Sequence, residues 1–184
     1  MELDSEALDT AEERGQYLLA KELLTFIEEY DDEVECGVLV DRLEAYADAL
    51  DERGVQSVDA EQMDELLEAD RTDAETWVDS DAIYDVGDGF SAFPARWHDE
   101  LRGEADVLRY VDVIDDDLAG GEKETATGAT GDGVPQELLL DAVSALGPYS
   151  RDGAKSEIER LREEGYVEEL ADQHPHARIV PTHE

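Results

Sequence analysis

The chain has 184 residues, 52 of them acidic and 14 basic, for a formal net charge of −38, and 41% are hydrophobic. That length and apolar content suffice for one large or two small cores, whereas the single cysteine, Cys36, excludes an intramolecular disulfide framework and a CxxC metal site. No apolar run approaches 18 residues, and the N-terminus MELDSEALDTAEERG is acidic, so we expect a cytoplasmic protein without a membrane segment, with Cys36 as a buried thiol.

Apolar residues recur at helical spacing through most of the length, which makes the acids solvated faces of folded helices rather than the mark of a disordered chain. The first helix is predicted over 10–30, where Ala20, Leu23, Leu24 and Ile27 share one face. The second runs over 36–53 with Leu39, Leu43, Tyr46 and Leu50 as its stripe, and Gly54 stands where a C-terminal cap belongs. In VDAEQMDELLEA, Asp59 and Gln62 have capping-box spacing, and Met63, Leu66 and Leu67 give the third helix a buried side. The period then changes. AIYDVGDGFSAFP reads as a β-hairpin over 82–93, turning at Gly87-Asp88-Gly89 and stopped by Pro94. Trp77, Tyr84, Phe90, Phe93 and Trp97 cluster here, and aromatics on alternating strand positions beside helices are read as a local core.

A further helix covers 95–118, interrupted at Gly103, with Val107, Leu108, Val111 and Ile114 as its apolar face. The segment 119–133, AGGEKETATGATGDG, lacks apolar periodicity and is expected to be a flexible linker. VPQELLLDAVSALG resumes as a helix with Pro135 in its first turn and Leu138, Leu139, Ala142, Val143 and Leu146 inward, ended by Gly147-Pro148. Ser150 caps a helix to Glu164 with Ala154, Ile158 and Leu161 in the core, Gly165 closes it, and YVEEL and ARIVPT follow as strands. The predicted class is mainly α with small β-hairpins (α+β). Its domains are a helical one over 1–103 and a second over 104–184 that contains the linker. No repeat is evident at the sequence level.

The stretch AKSEIERLREEGYVEEL, preceded by two helices and a tight Gly-Pro turn and followed by a second strand, resembles the recognition helix and wing of winged helix-turn-helix domains. Such domains recur in archaeal transcription regulators and in the C-terminal tails of archaeal replication helicases. The resemblance covers 104–182, and the fifteen-residue Gly/Thr segment departs from the short connection usual there. It implies that the 150–164 helix enters a major groove and that the 167–180 hairpin lies beside the DNA backbone. Three helices before a hairpin is also the winged-helix element order for the first domain.

The residues themselves add a cationic ridge: at 3.6 residues per turn, Arg151, Lys155 and Arg162 fall within an arc of about 40° beside the buried face. Residues 134–184 hold 11 acids and 5 bases, against 41 and 9 in the first 133, so the second domain is the less acidic. With Ser150 at the helix start and His174, His176 and Arg178 on the wing, these are the candidate DNA-contacting residues. The composition also resembles that of salt-loving archaea: rich in Asp and Glu, with Lys only at 21, 123 and 155. In their cytoplasm the Debye length shrinks to roughly 3 Å or less, and net charge no longer argues strongly against DNA.

Other signals are read plainly. His174 and His176 lack the further ligands of a zinc site, and Asp115, Asp116 and Asp117 lack the glycine and distal glutamate of a calcium loop, so both are read as solvated surface. No P-loop, GxGxxG, GxSxG or HExxH motif occurs, and neither catalysis nor a cofactor is expected. The expected partner is double-stranded DNA, the protein being a halophilic transcriptional regulator. The alternative is a winged-helix adaptor that binds another protein of replication, transcription or chromosome organisation. The wide apolar faces of 10–30 and 36–53 make a homodimer plausible.

Overall fold

The computed structural model describes residues 1–120, 133–170 and 177–182. It is an α+β chain, and its contacts divide it into two compact units, Met1–Arg96 and Trp97–Glu184. The division falls a few residues before the expected 103.

In the first unit, α1 (Ser5–Arg14) starts at Asp4, whose carboxylate accepts from the amides of Glu6 and Ala7. It ends at Gly15 with φ +55°, in the left-handed region where a residue without a Cβ is favoured. A 3₁₀ turn, Gly15–Tyr17, leads to α2 (Ala20–Tyr30), so the single helix expected over 10–30 is two helices bent at that glycine. The helix α3 (Val40–Glu52) begins later than expected. Gly37 turns at φ +73°, Val38 forms an isolated antiparallel β-bridge with Phe90, and Leu39, expected in the apolar stripe, is the exposed N-terminal cap. Cys36 is exposed rather than buried, because the chain turns inward only at Val38.

Asp59 caps a 3₁₀ turn, Ala60–Gln62, that runs into α4 (Met63–Asp70). The strands are β1 (Arg71–Thr72), β2 (Ile83–Val86) and β3 (Gly89–Ser91), in sheet order β1-β2-β3. The hairpin pairs Tyr84 with Ser91 and Val86 with Gly89 across the Gly87-Asp88 turn. The parallel strand β1 was not expected, two residues being too few to show a period. On the free side of β3, Val38 and Phe90 exchange amide hydrogen bonds of 2.6 and 2.9 Å.

The core of this unit joins Leu23, Leu24 and Ile27 to Leu43, Leu50, Met63 and Leu67. The faces that suggested a homodimer are therefore occupied within the unit itself. Tyr84 and Phe93 are buried, as a local core requires, and Trp77 stacks on Tyr84 with ring centroids 6.1 Å apart.

The division falls within α5 (Ala95–Leu101), whose Trp97, His98 and Leu101 are buried in the second unit, and the chain breaks at Gly103, φ +73°. The helix α6 (Val107–Gly120) follows, burying Val107, Tyr110, Val111 and Ile114. Asp117, expected at the surface, is 6% exposed and accepts from Trp97 Nε1 at 2.6 Å. The expected flexible segment lies outside the described residues over 121–132; Ala119 and Gly120 complete α6.

Gly133 precedes β4 (Val134–Pro135), so Pro135 is extended, at φ −55° and ψ 130°, and caps the following helix rather than starting it. The helices α7 (Gln136–Leu146) and α8 (Arg151–Glu163) then lead into β5 (Val167–Leu170) and β6 (Arg178–Pro181). The sheet order is β4-β6-β5, all antiparallel, with Ile179 between Val134 and Glu169. Among the described residues no helix is long and apolar enough to cross a membrane.

Candidate nucleic-acid interface

The helix α8 owes its position to three local devices. Ser150 Oγ accepts from Gly153 N at 3.1 Å, satisfying one amide that the first turn leaves without a partner. Ala154, Ile158 and Leu161 are 0–4% exposed and form its anchoring face. Gly165, at φ +83°, reverses the chain so that Tyr166 N reaches Leu161 O at 2.9 Å and β5 can start. Tyr149 fixes the preceding turn by donating its hydroxyl to Ala105 O at 2.8 Å. The rest of the helix surface faces solvent.

The cationic ridge has the expected geometry, but most of its charge is already neutralised. Arg151 bridges to α7, with Nη1 on Asp141 and Nη2 on Glu137, the latter at 2.6 Å, and its side chain is 28% exposed. Arg162 pairs with Glu169 on β5. Arg160 sits between Glu157 and Glu164, one turn away on either side. These hydrogen bonds raise its pKa, and Arg160 holds the Glu157 carboxyl below the ordinary carboxylate range. Lys155 differs: it is exposed and makes no ion pair or hydrogen bond among the described residues. Arg178, on the wing, donates from Nη1 to Gly133 O at 3.1 Å and so ties β6 to the start of β4. His174 and His176 lie outside the described residues.

Sequence spacing placed Arg151, Lys155 and Arg162 together, and the helix brings them together. It did not reveal their acid partners, because Asp141 and Glu137 come from another helix and Glu169 from a strand. It also missed Tyr166, just before β5, and Leu170, at its end, which are 53% and 41% exposed. At exposed positions the ion pairs are weak, contributing about 0–1 kcal/mol each, and high salt weakens them further.

Among the described residues no group of His, Cys, Asp and Glu side chains is arranged to hold a metal ion. His98, buried in α5, has its pKa pushed down to about 4 by burial, with Arg102 adding to the effect and Asp99 opposing it. It is therefore a neutral core residue at neutral pH. No protein-family model, curated protein or solved structure matches the chain.

Proposed function

We propose that Trp97–Glu184 is a winged helix-turn-helix domain and that the protein binds double-stranded DNA as a transcriptional regulator in a high-salt cytoplasm. The observation that supports this reading is the chain path. Helix, short strand, two helices joined by a tight turn, and two strands with the last in the centre of the sheet leave α8 anchored by one face. In this reading the exposed side of α8 enters the major groove, with Lys155 foremost and Arg151 and Arg162 exchanging carboxylate for phosphate. The β5/β6 hairpin with Arg178 lies against the backbone.

The test is fluorescence anisotropy and genome-wide occupancy at molar KCl. Lys155→Glu with Arg162→Glu is expected to weaken binding at least tenfold at any site the wild type occupies. No enrichment at any site would overturn the reading.

A second reading, a winged-helix adaptor for another protein, is favoured by the neutralised arginines of α8 together with the exposed Tyr166 and Leu170. A partner that copurifies with the wild type and is lost with Tyr166→Ala and Leu170→Ala would replace the first reading with this one.

A further inference from the structure

The two units share an element order and several residue spacings, although their sequences show it only once the strands are known. Each begins with a short helix that buries residues at i, i+1 and i+4, Ala7, Leu8 and Ala11 in α1 and Trp97, His98 and Leu101 in α5. Each then breaks at a glycine of positive φ, Gly15 or Gly103. A helix follows with its apolar core at Leu23, Leu24 and Ile27 or at Tyr110, Val111 and Ile114.

The strongest match comes next. Gly37-Val38 and Gly133-Val134 both carry a left-handed glycine, φ +73° and +98°, and a fully buried valine. A Cβ on Gly37 would lie 2.5 Å from Val86 O, and one on Gly133 would lie 2.5 Å from Val180 Cγ1 and 2.7 Å from Ile179 O. The two valines pair with the last strand of their units, at Phe90 on β3 and Ile179 on β6, and the opposite sides of those residues pair with Asp85 and Glu169. Five residues after each valine comes a buried leucine, Leu43 or Leu139, and the helix buries its end at Leu50 or Leu146. The caps Asp59 and Ser150 then start the fourth helix, in which Met63 and Leu67 match Ala154 and Ile158.

Along the helix this register sets Ala60 opposite Arg151 and Asp64 opposite Lys155; the position opposite Arg162 is Arg71, which has already left α4 for β1, is held by Glu68 and Asp85 and lies over the Phe90 ring at 5.4 Å. From 60 to 70 the chain has five acids, Glu61, Asp64, Glu65, Glu68 and Asp70, and no base; all five are exposed. Two further features remove the groove-side apparatus. The turn between β2 and β3 is only Gly87-Asp88, which leaves no projecting wing, and β1 covers the side of β2 that corresponds to the side of β5 left unpaired among the described residues.

We infer that Met1–Arg96 is a second copy of the module formed by Trp97–Glu184, and that its α4 occupies the reading-helix position with an anionic face that excludes DNA. The inference rests on the reading of α8 as the DNA-contacting helix. One chain then presents one reading helix, and phosphate repulsion keeps the first module off the duplex.

The test restores cations to α4 in the full-length chain. Glu61→Lys, Asp64→Lys and Glu65→Lys together, and Asp64→Lys alone as the gentler variant, are compared with Glu6→Lys, Glu13→Lys and Asp48→Lys, which change charge equally at exposed sites elsewhere on the unit. Binding to a random-sequence duplex is followed from 0.2 to 2 M KCl. Each phosphate contact adds about 0.9 to the slope of log affinity against log salt, so the α4 triple variant is expected to steepen it by about 2 to 3 and the single variant by about 1. The control triple is expected to leave the slope at the wild-type value. Equal slopes for the α4 and control triples overturn the inference. Binding by the α4 triple where wild type and control bind nothing upholds the repeated module and sinks the reading of α8 instead.

Discussion

Met1–Arg96 and Trp97–Glu184 route the chain alike, yet they fill the space beside their second long helix with opposite chemistry. In the first unit Arg42 Nε and Nη2 each donate to Asp31 at 2.8 Å, Tyr46 donates its hydroxyl to the same carboxylate at 2.6 Å, and Asp4 N donates to that hydroxyl at 2.7 Å. Asp31 is 5% exposed and Tyr46 is fully buried. Burial opposes the Arg42 cation, but its hydrogen bonds to Asp31 and Glu33 prevail and raise its pKa; burial, then the bond to Asp31, raises that of Tyr46. In the second unit the positions corresponding to Arg42 and Tyr46 are Leu138 and Ala142. One backbone thus accepts either a desolvated ion pair or an apolar filling, because what the frame requires is satisfied polar groups and filled volume, not charge as such.

The largest effect should follow from opening that network. Asp31→Ala leaves Arg42 and Tyr46 without their shared acceptor and is expected to lower stability by about 3–5 kcal/mol, read from urea unfolding at molar KCl. The triple replacement Asp31→Leu, Arg42→Leu and Tyr46→Phe, which exchanges the network for apolar groups as Leu138 does at the position of Arg42, should lose less than the single change. If it loses more, the equivalence of the two cores is broken.

Acid should act on the second unit through His98, whose pKa is about 4 in the fold against an ordinary 6.5. Between those values the unfolded chain binds the extra proton, so this contribution is complete above pH 6.5 and is lost as pH falls toward 4. It amounts to about 3 kcal/mol. The difference in urea midpoint between wild type and His98→Leu, followed from pH 7 to 4, isolates it from the titration of the acids. A constant difference over that range would show that His98 is not desolvated as described.

Next come the paired glycines. Gly37→Ala and Gly133→Ala should each cost about 1–3 kcal/mol, since both force a Cβ onto neighbouring atoms of the sheet in a left-handed backbone. Gly54→Ala, also at positive φ but with nothing within 4 Å, should cost only about 1 kcal/mol. Thermal melts of the three variants rank them directly, and a Gly133 variant no worse than the Gly54 one would separate the units' architectures.

Much of the scaffold could be read in advance where its signals are local. The cap at Ser150, the inward face of Ala154, Ile158 and Leu161, the break at Gly103 and the Gly87-Asp88 hairpin all depend on residues a few positions apart. The candidate site was legible only as a list of cations on one helix. Whether Arg151 and Arg162 stand free is decided by Glu137, Asp141 and Glu169, and no period in α8 points to them.

By itself, then, the sequence determined which stretches are helical and most of their apolar faces, because those choices are settled within a few residues by glycines and spacing, while the starts of α2, α3 and α7 were misplaced by it. Tertiary structure alone decided that Cys36 is exposed, that Asp117 is buried against Trp97, and that Val38, in a single β-bridge, and Val134, in β4, pair with Phe90 and Ile179. Strands of one or two residues are too short to carry a period, and their existence depends on a partner some 45 or 50 residues away. The repeat hidden in the chain became visible only when those partners were in place.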